Sequence, residues 1–256
     1  MIRTKLVDIS LLAFSVIAVA FVAPLTAQEP NFGRAIAMTP TDLVIGQPVN
    51  WYGPGTVYAY SASQEGWEEP QLLTAPDSAR MDDFGRAIAV DGNTMAIGTP
   101  RKHDQDGAVY VFTRPGTDSP WAITATITPA RDESLGQMGT ALALRGNELL
   151  VGAPTTGRSG VVYHYRRSGG TWSLETTITP EGEVEGFGTA LTWDGNELLV
   201  GAPTSDDGRG RVYAASQLEN GGWGEARQVE LIGTANNEDA RAGTSITLAN
   251  GHALVG

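Results

Sequence analysis

The side chains of this 256-residue chain that could do chemistry are few and scattered. His103-Asp104-Gln105-Asp106-Gly107 sets two carboxylates two residues apart, ahead of a turn glycine. Loops that wrap oxygens around a hard cation such as calcium use that pattern. Lys102 stands where a third acid is wanted, and an Asp/Gly surface turn explains the same residues without a metal. Asp104 and Asp106 are therefore the candidate metal ligands, calcium is the candidate ion, and no other cofactor is expected.

Acid–base or nucleophilic catalysis finds less support. Of the three histidines, His103 falls in that loop and His252 in a turn of the last hairpin. His164 takes a place held elsewhere by Ala59, Val111 and Ala214, which predicts a packed strand residue. No G-x-S-x-G elbow or H-E-x-x-H pair exists. The acids Asp82, Asp83, Asp132, Glu133, Glu183 and Glu185 fall in loops, where a solvated role is the default and an acidic mouth the alternative. Arg34 and Arg86 occupy one shared position that holds Thr140, Thr189 and Thr244 elsewhere. Cations placed between sheets need partners, for which Asp82 or Asp83 would serve, with anion binding as the sharper alternative. Trp67, Trp121, Trp172 and Trp223 could stack on sugars, but their regular placement predicts that each caps its own unit.

That regularity is the strongest signal in the sequence. Phe32-Gly33-Arg34-Ala35-Ile36-Ala37 returns as Phe84-Gly85-Arg86-Ala87-Ile88-Ala89, and degenerate copies begin near residues 138, 187 and 242. Thirteen positions after each of Gly33, Gly85, Gly139, Gly188 and Gly243 stands another glycine: Gly46, Gly98, Gly152, Gly201 and Gly256. Pro48, Pro100, Pro154 and Pro203 close four of these phrases. Val57-Tyr58, Val109-Tyr110, Val162-Tyr163 and Val212-Tyr213 then follow at 11 or 10 residues from the second glycine. A repeat of 49 to 55 residues of this kind is a stack of supersecondary units.

Each unit predicts four strands. The first is small on one face (Gly85, Ala87, Ala89) and bulky on the other (Phe84, Arg86, Ile88), which suits sheets stacked face to face with this strand innermost. Asp91-Gly92-Asn93, Arg145-Gly146-Asn147 and Asp194-Gly195-Asn196 supply hairpin turns. The second strand, as in Leu149-Leu150-Val151-Gly152-Ala153, is apolar throughout, as for a strand covered on both sides. The third alternates aromatic and aliphatic residues, and the fourth, rich in Thr, is an outer strand. No helix is expected after the N-terminal segment. The fold class is all-β, a β-propeller of four-stranded antiparallel blades.

Phe-Gly, then Gly-Ala-Pro at a fixed interval, then Val-Tyr-Val-Phe resembles the FG-GAP repeat of the integrin α-subunit head and of many secreted bacterial proteins. The resemblance covers residues 32–256 and is closest to the bacterial type with its short Asp-Gly-Asn turn. It implies a propeller, often of seven blades, that binds proteins or glycans and in integrins carries calcium in some blades. The longer Asp-x-Asp-x-Asp-Gly insertion of integrin calcium loops is missing from all five units.

Composition narrows the function classes. The formal net charge of −12 argues against nucleic acid and anionic membranes, and the absence of Cys excludes disulfides, thiolate metal sites and Cys nucleophiles. Arg3 and Lys5, an apolar run over 9–23 and the small-residue exit before Gln28 predict a cleaved export signal over 1–27, leaving no membrane-spanning segment in the mature chain. The expected location is secreted, periplasmic or cell surface. The fifth unit stops at Gly256, before its third strand, so further blades are expected from a longer chain. The sequence thus predicts a non-catalytic binding or adhesion scaffold that contacts an extracellular protein or glycan through connections 49–54, 101–106 and 155–159. The alternative is a propeller-type polysaccharide lyase or hydrolase with an acidic rim.

Overall fold

The structure is a computed structural model that describes residues 31–49, 53–129, 135–157, 159–231, 240–249 and 252–256. The export signal predicted over 1–27 lies outside the described residues. Successive antiparallel sheets follow the repeat. The first holds β1 (Ala35–Met38), β2 (Asp42–Gln47) and β3 (Thr56–Ser63), with β4 (Gly66–Trp67) and β5 (Gln71–Leu73) both paired to β3. The second holds β6 (Ile88–Asp91), β7 (Thr94–Thr99), β8 (Ala108–Thr113) and β9 (Ala122–Ile127). The third is β10 (Ala141–Arg145), β11 (Glu148–Ala153), β12 (Val161–Ser168) and β13 (Thr171–Ile178). The fourth is β14 (Ala190–Asp194), β15 (Glu197–Ala202), β16 (Arg211–Ser216) and β17 (Arg227–Gln228), and the hairpin β18 (Ile246–Ala249) and β19 (His252–Val255) follows.

Each sheet runs in chain order, and the first strands of successive sheets lie side by side: β1 by β6, β6 by β10, β10 by β14, β14 by β18. This is the blade arrangement of a β-propeller, here not closed. Gly92, Gly146 and Gly195 take the first central position of two-residue turns between the first and second strands, with φ of +54°, +58° and +56°.

The apolar core is not one body but a series of seams between sheets. Met95, Ile97, Tyr110 and Phe112 of the second sheet pack on Val44, Val57 and Leu73 of the first. The alternate residues Ala96, Val109 and Val111 face the third sheet, against Met138, Leu149 and Tyr163. Leu150 and Val162 face the fourth sheet, against Phe187, Val200 and Tyr213. A pleated strand sends alternate side chains to opposite faces, so a strand filled on both sides must be apolar throughout. The aromatic side of the third strand faces the preceding blade and the aliphatic side the following one.

The first strand begins later than the alternation predicts. Phe84 and Gly85 precede β6, and Gly85 has φ +92°. Arg86 N donates to the Asp83 carbonyl at 3.0 Å, so Phe-Gly-Arg is a turn into the strand. That turn accounts for the fixed interval. Gly33, Gly85, Gly139, Gly188 and Gly243 each donate N–H to the carbonyl of the glycine thirteen residues on, at 3.0–3.1 Å. The second glycine then meets the first glycine of the next unit. A Cβ on Gly98 would overlap the Gly139 carbonyl, and Gly46, Gly152 and Gly201 stand likewise against Gly85, Gly188 and Gly243. The ten motif glycines thus make five backbone contacts within units and four across seams. A Cβ on Gly33, by contrast, would meet nothing nearer than Ile36.

Polar ties reinforce the first seam. Arg114 holds Asp42 of the preceding blade bidentately, at 2.7 and 2.6 Å, with both side chains 1% exposed. Gln71 exchanges two hydrogen bonds with the backbone of Trp121, each 2.8 Å. Trp121 and Trp223 therefore do not cap only their own units. Trp121 fills the seam with the first blade, and Trp223 sets its ring edge-on to His164 of the third. Trp67 pairs through its backbone with Ala62 of its own unit.

Candidate functional site

The connections between second and third strands share one rim with the linkers that lead into each first strand. Arg101 N donates to the Asp82 carbonyl, Thr155 N to that of Gly136, and Gln137 N to that of Gln105. In the second blade this rim forms an open cleft of about 650 Å³, lined by Asp77, Arg80, Met81, Arg101, His103 and Asp104 among others. Lys102, the only lysine after residue 5, forms its floor and is 2% exposed. Its ammonium donates to the Asp77 carbonyl at 2.8 Å and lies 3.1 Å from the Asp77 carboxylate and 3.8 Å from that of Asp82. Tyr110 donates its hydroxyl to the same Asp77 carboxylate at 2.6 Å. That bond, with support from Lys102 against the cost of burial, holds Asp77 below the usual carboxylate range. Burial, followed by the Asp77 bond, pushes the Tyr110 phenol up.

Of the two predicted metal ligands, Asp104 is exposed and Asp106 half-buried. Residues 102–105 make one tight turn whose His103 and Asp104 have left-handed φ of 51° and 58°, a departure from the expected absence of any helical turn. Asp106 accepts the Leu135 N–H at 2.8 Å and ties the rim to the next unit. Among the described residues, no three His, Asp or Glu side chains gather to hold a metal ion.

The loop acids divide. Asp132 and Glu133 lie outside the described residues. Glu183 and Glu185 line an open cleft of about 730 Å³ with Thr155, Thr189 and Thr204, in keeping with a solvated rim. Asp82 and Asp83 are not solvated: they are 6% and 7% exposed. Asp82 accepts the Ala79 N–H at 2.7 Å, which folds the linker beneath it. Asp83 sits 3.4 Å from Arg101. Burial raises its pKa, opposed by Arg101, Arg86 and Arg34. Arg86 is half-buried, and burial, then the nearby Arg34, lowers its pKa.

The histidines are dispersed. His164 is fully buried opposite Leu150, in register with Ala59, Val111 and Ala214. Neither ring nitrogen has a hydrogen-bond partner, and burial pushes its pKa down. His252 opens β19, paired with Ala249, and is exposed. His103 alone stands at a cleft. Sequence reasoning did not find Asp77 or Asp42. A signal was present for the first, since a lone lysine beside a buried tyrosine requires an acid. None marked Asp42, whose partner lies 72 residues away.

Residues 67–112, from the end of the first unit through the third strand of the second, match the FG-GAP repeat family. No curated protein matches the chain. Among solved structures, the chain is similar to a Bacteroides uniformis protein described as a candidate 6-phosphogluconolactonase. The two share 15% identity and a TM-score of 0.50, over 74% of this chain and 54% of that one. The chain thus spans about half the length of that protein, and the likeness is one of fold. A computationally designed protein, Ika4, aligns at 16% identity and a TM-score of 0.43, over 72% of this chain and 88% of its own. No helix among the described residues is long and apolar enough to cross a membrane.

Proposed function

We propose that this chain is an exported, non-catalytic binding scaffold whose rim connections contact an extracellular protein or glycan. The observation that carries this is a contrast within the repeat. The glycine contacts and strand register recur from unit to unit, whereas the rim connections differ in length and charge. Arg101-Lys102-His103-Asp104-Gln105-Asp106 in the second unit corresponds to Thr204-Ser205-Asp206-Asp207-Gly208-Arg209 in the fourth and to the shorter 155–159 in the third. His103, Asp104, Asp206 and Asp207 are held at φ between 51° and 58°. Each such non-glycine residue costs about 1–2 kcal/mol, and strain of this kind gathers where a surface is shaped for a ligand. The predicted connection 49–54 lies partly outside the described residues, as does Arg158 in 155–159.

The name of the Bacteroides protein would suggest sugar–lactone hydrolysis. A fold likeness carries no chemistry with it, and His103 forms no ion pair among the described residues. Glycan-array and pull-down binding by the whole chain, lost when 101–106 is replaced by the 155–159 sequence, is the expected result. Turnover on a polysaccharide panel that His103→Ala abolishes would replace this assignment with a lyase or hydrolase.

A further inference from the structure

Each blade of this repeat has one face that carries the third-strand tyrosine, and three seams show what that face does. In the second, third and fourth blades it packs on the preceding blade, with Tyr110, Tyr163 and Tyr213 fully buried. Phe84 and Phe187 lie buried in the same way. In the first blade that face stands open. Strand register arranges it in two rows: Ile36, Ile45, Tyr58 and Leu72, then Met38, Leu43 and Tyr60. Ile36, Met38 and Leu72 are 63%, 74% and 60% exposed, and Tyr58 is only half-buried. Phe32, also exposed, stands edge-on to Tyr58.

Exposure has not made this face polar. Paired with the tyrosine, the outer strands of the next three blades carry Thr126, Thr177 and Gln228. The first blade puts Leu72 there instead. No Asp, Glu, Lys or Arg stands in either row, so covering the face strips no charge of its water. An uncharged apolar patch that runs across a whole sheet marks a contact surface.

We propose that the tyrosine face of the first blade pairs with the same face of a second copy of this chain, across a twofold axis. The face follows the pattern that already forms blade-to-blade interfaces in this molecule, so a sheet of the same repeat fits it. Among the described residues the fifth unit offers only β18 and β19, with no strand to set opposite Leu72. A second first blade covers every strand of the face. The open area, about 600 Å² per copy, gives about 1,200 Å² in total, where specific interfaces begin. Sheets packed face to face stand about 10 Å apart and interdigitate their side chains. Such a contact is self-complementary and closes at two copies.

The test is sedimentation velocity of the whole chain from about 1 to about 100 µM, the range in which an interface of this size dissociates. A species of two copies should form reversibly and grow no larger. M38E/L72E should weaken it at least about tenfold, because the carboxylates would be buried without partners. L72T, which copies the second and third units, should weaken it less. Both variants should keep the Tm of the dilute wild type, since these side chains are exposed in the single chain. L254E, at the exposed far end of the fan, should leave association unchanged. A monomer throughout the range, or growth beyond two copies, overturns the proposal. So does association that M38E/L72E leaves intact, as the apolar run over 9–23 would produce. Association that L254E abolishes also overturns it, by setting the hairpin, and not a second first blade, on this face.

Discussion

The glycine spine and the rim are made of similar residues and obey opposite rules. At the spine, Gly98 and Gly139 face each other across a seam with no room for a methyl group. At the rim, Gly157 has open space around it and is needed only for its φ of +62°. One glycine is fixed by its neighbour in another blade, the other by its own backbone. The spine therefore repeats without variation, while the rim accepts histidine and aspartate in left-handed geometry at a local cost.

The comparison breaks first if the spine tolerates a side chain. Gly98→Ala should cost about 4 kcal/mol or prevent folding, because the methyl meets backbone and not a movable side chain. Urea denaturation showing a loss below about 1 kcal/mol would remove the close approach. Next in size is the tie across the first seam. Arg114→Ala leaves the Asp42 carboxylate buried without its partner and should cost about 3–5 kcal/mol.

Asp42 also gives a pH signature. Burial alone would raise its pKa, but hydrogen bonds from Arg114, Thr41 and Thr39 hold it below the usual range. Its stabilising contribution is therefore complete above about pH 4 and is lost as pH falls through the lower folded value. Asp42→Asn should flatten that part of the Tm–pH curve.

His164→Val, which installs the residue of the second unit, should stabilise the chain by about 1 kcal/mol at pH 7, since both ring nitrogens are buried without a hydrogen bond and Glu148 stands no nearer than 3.6 Å. The gain should grow towards pH 5. With a depressed folded pKa, the wild type loses stability as pH falls below about 6.5, where the unfolded chain takes up the proton first. A wild type equally stable at both pH values would remove the buried neutral histidine. The smallest effect belongs to the rim, where Gly157→Ala should cost only about 1 kcal/mol.

Much of the fold was legible because each unit buries its strands in the same way. The 13-residue interval, the apolar second strand and the Val-Tyr alternation foretold the order of the strands and the sides on which they pack. The start of the first strand was misjudged, since Phe84-Gly85-Arg86 alternates like a strand while Gly85 takes a conformation no strand uses. The rim was harder to read. Asp82 and Asp83 look like any loop acids yet are buried, and nothing in the sequence pattern announces the tight turn at 102–105.

The sequence by itself determined the repeat, the strand pattern and the places where only glycine stands, because these follow from local periodicity written five times. Tertiary structure alone decided which groups meet: Lys102 with Asp77, and Arg114 with Asp42. Those meetings depend on how one blade is set against the next, over separations of 25 to 72 residues, and no local pattern encodes a contact made across a seam.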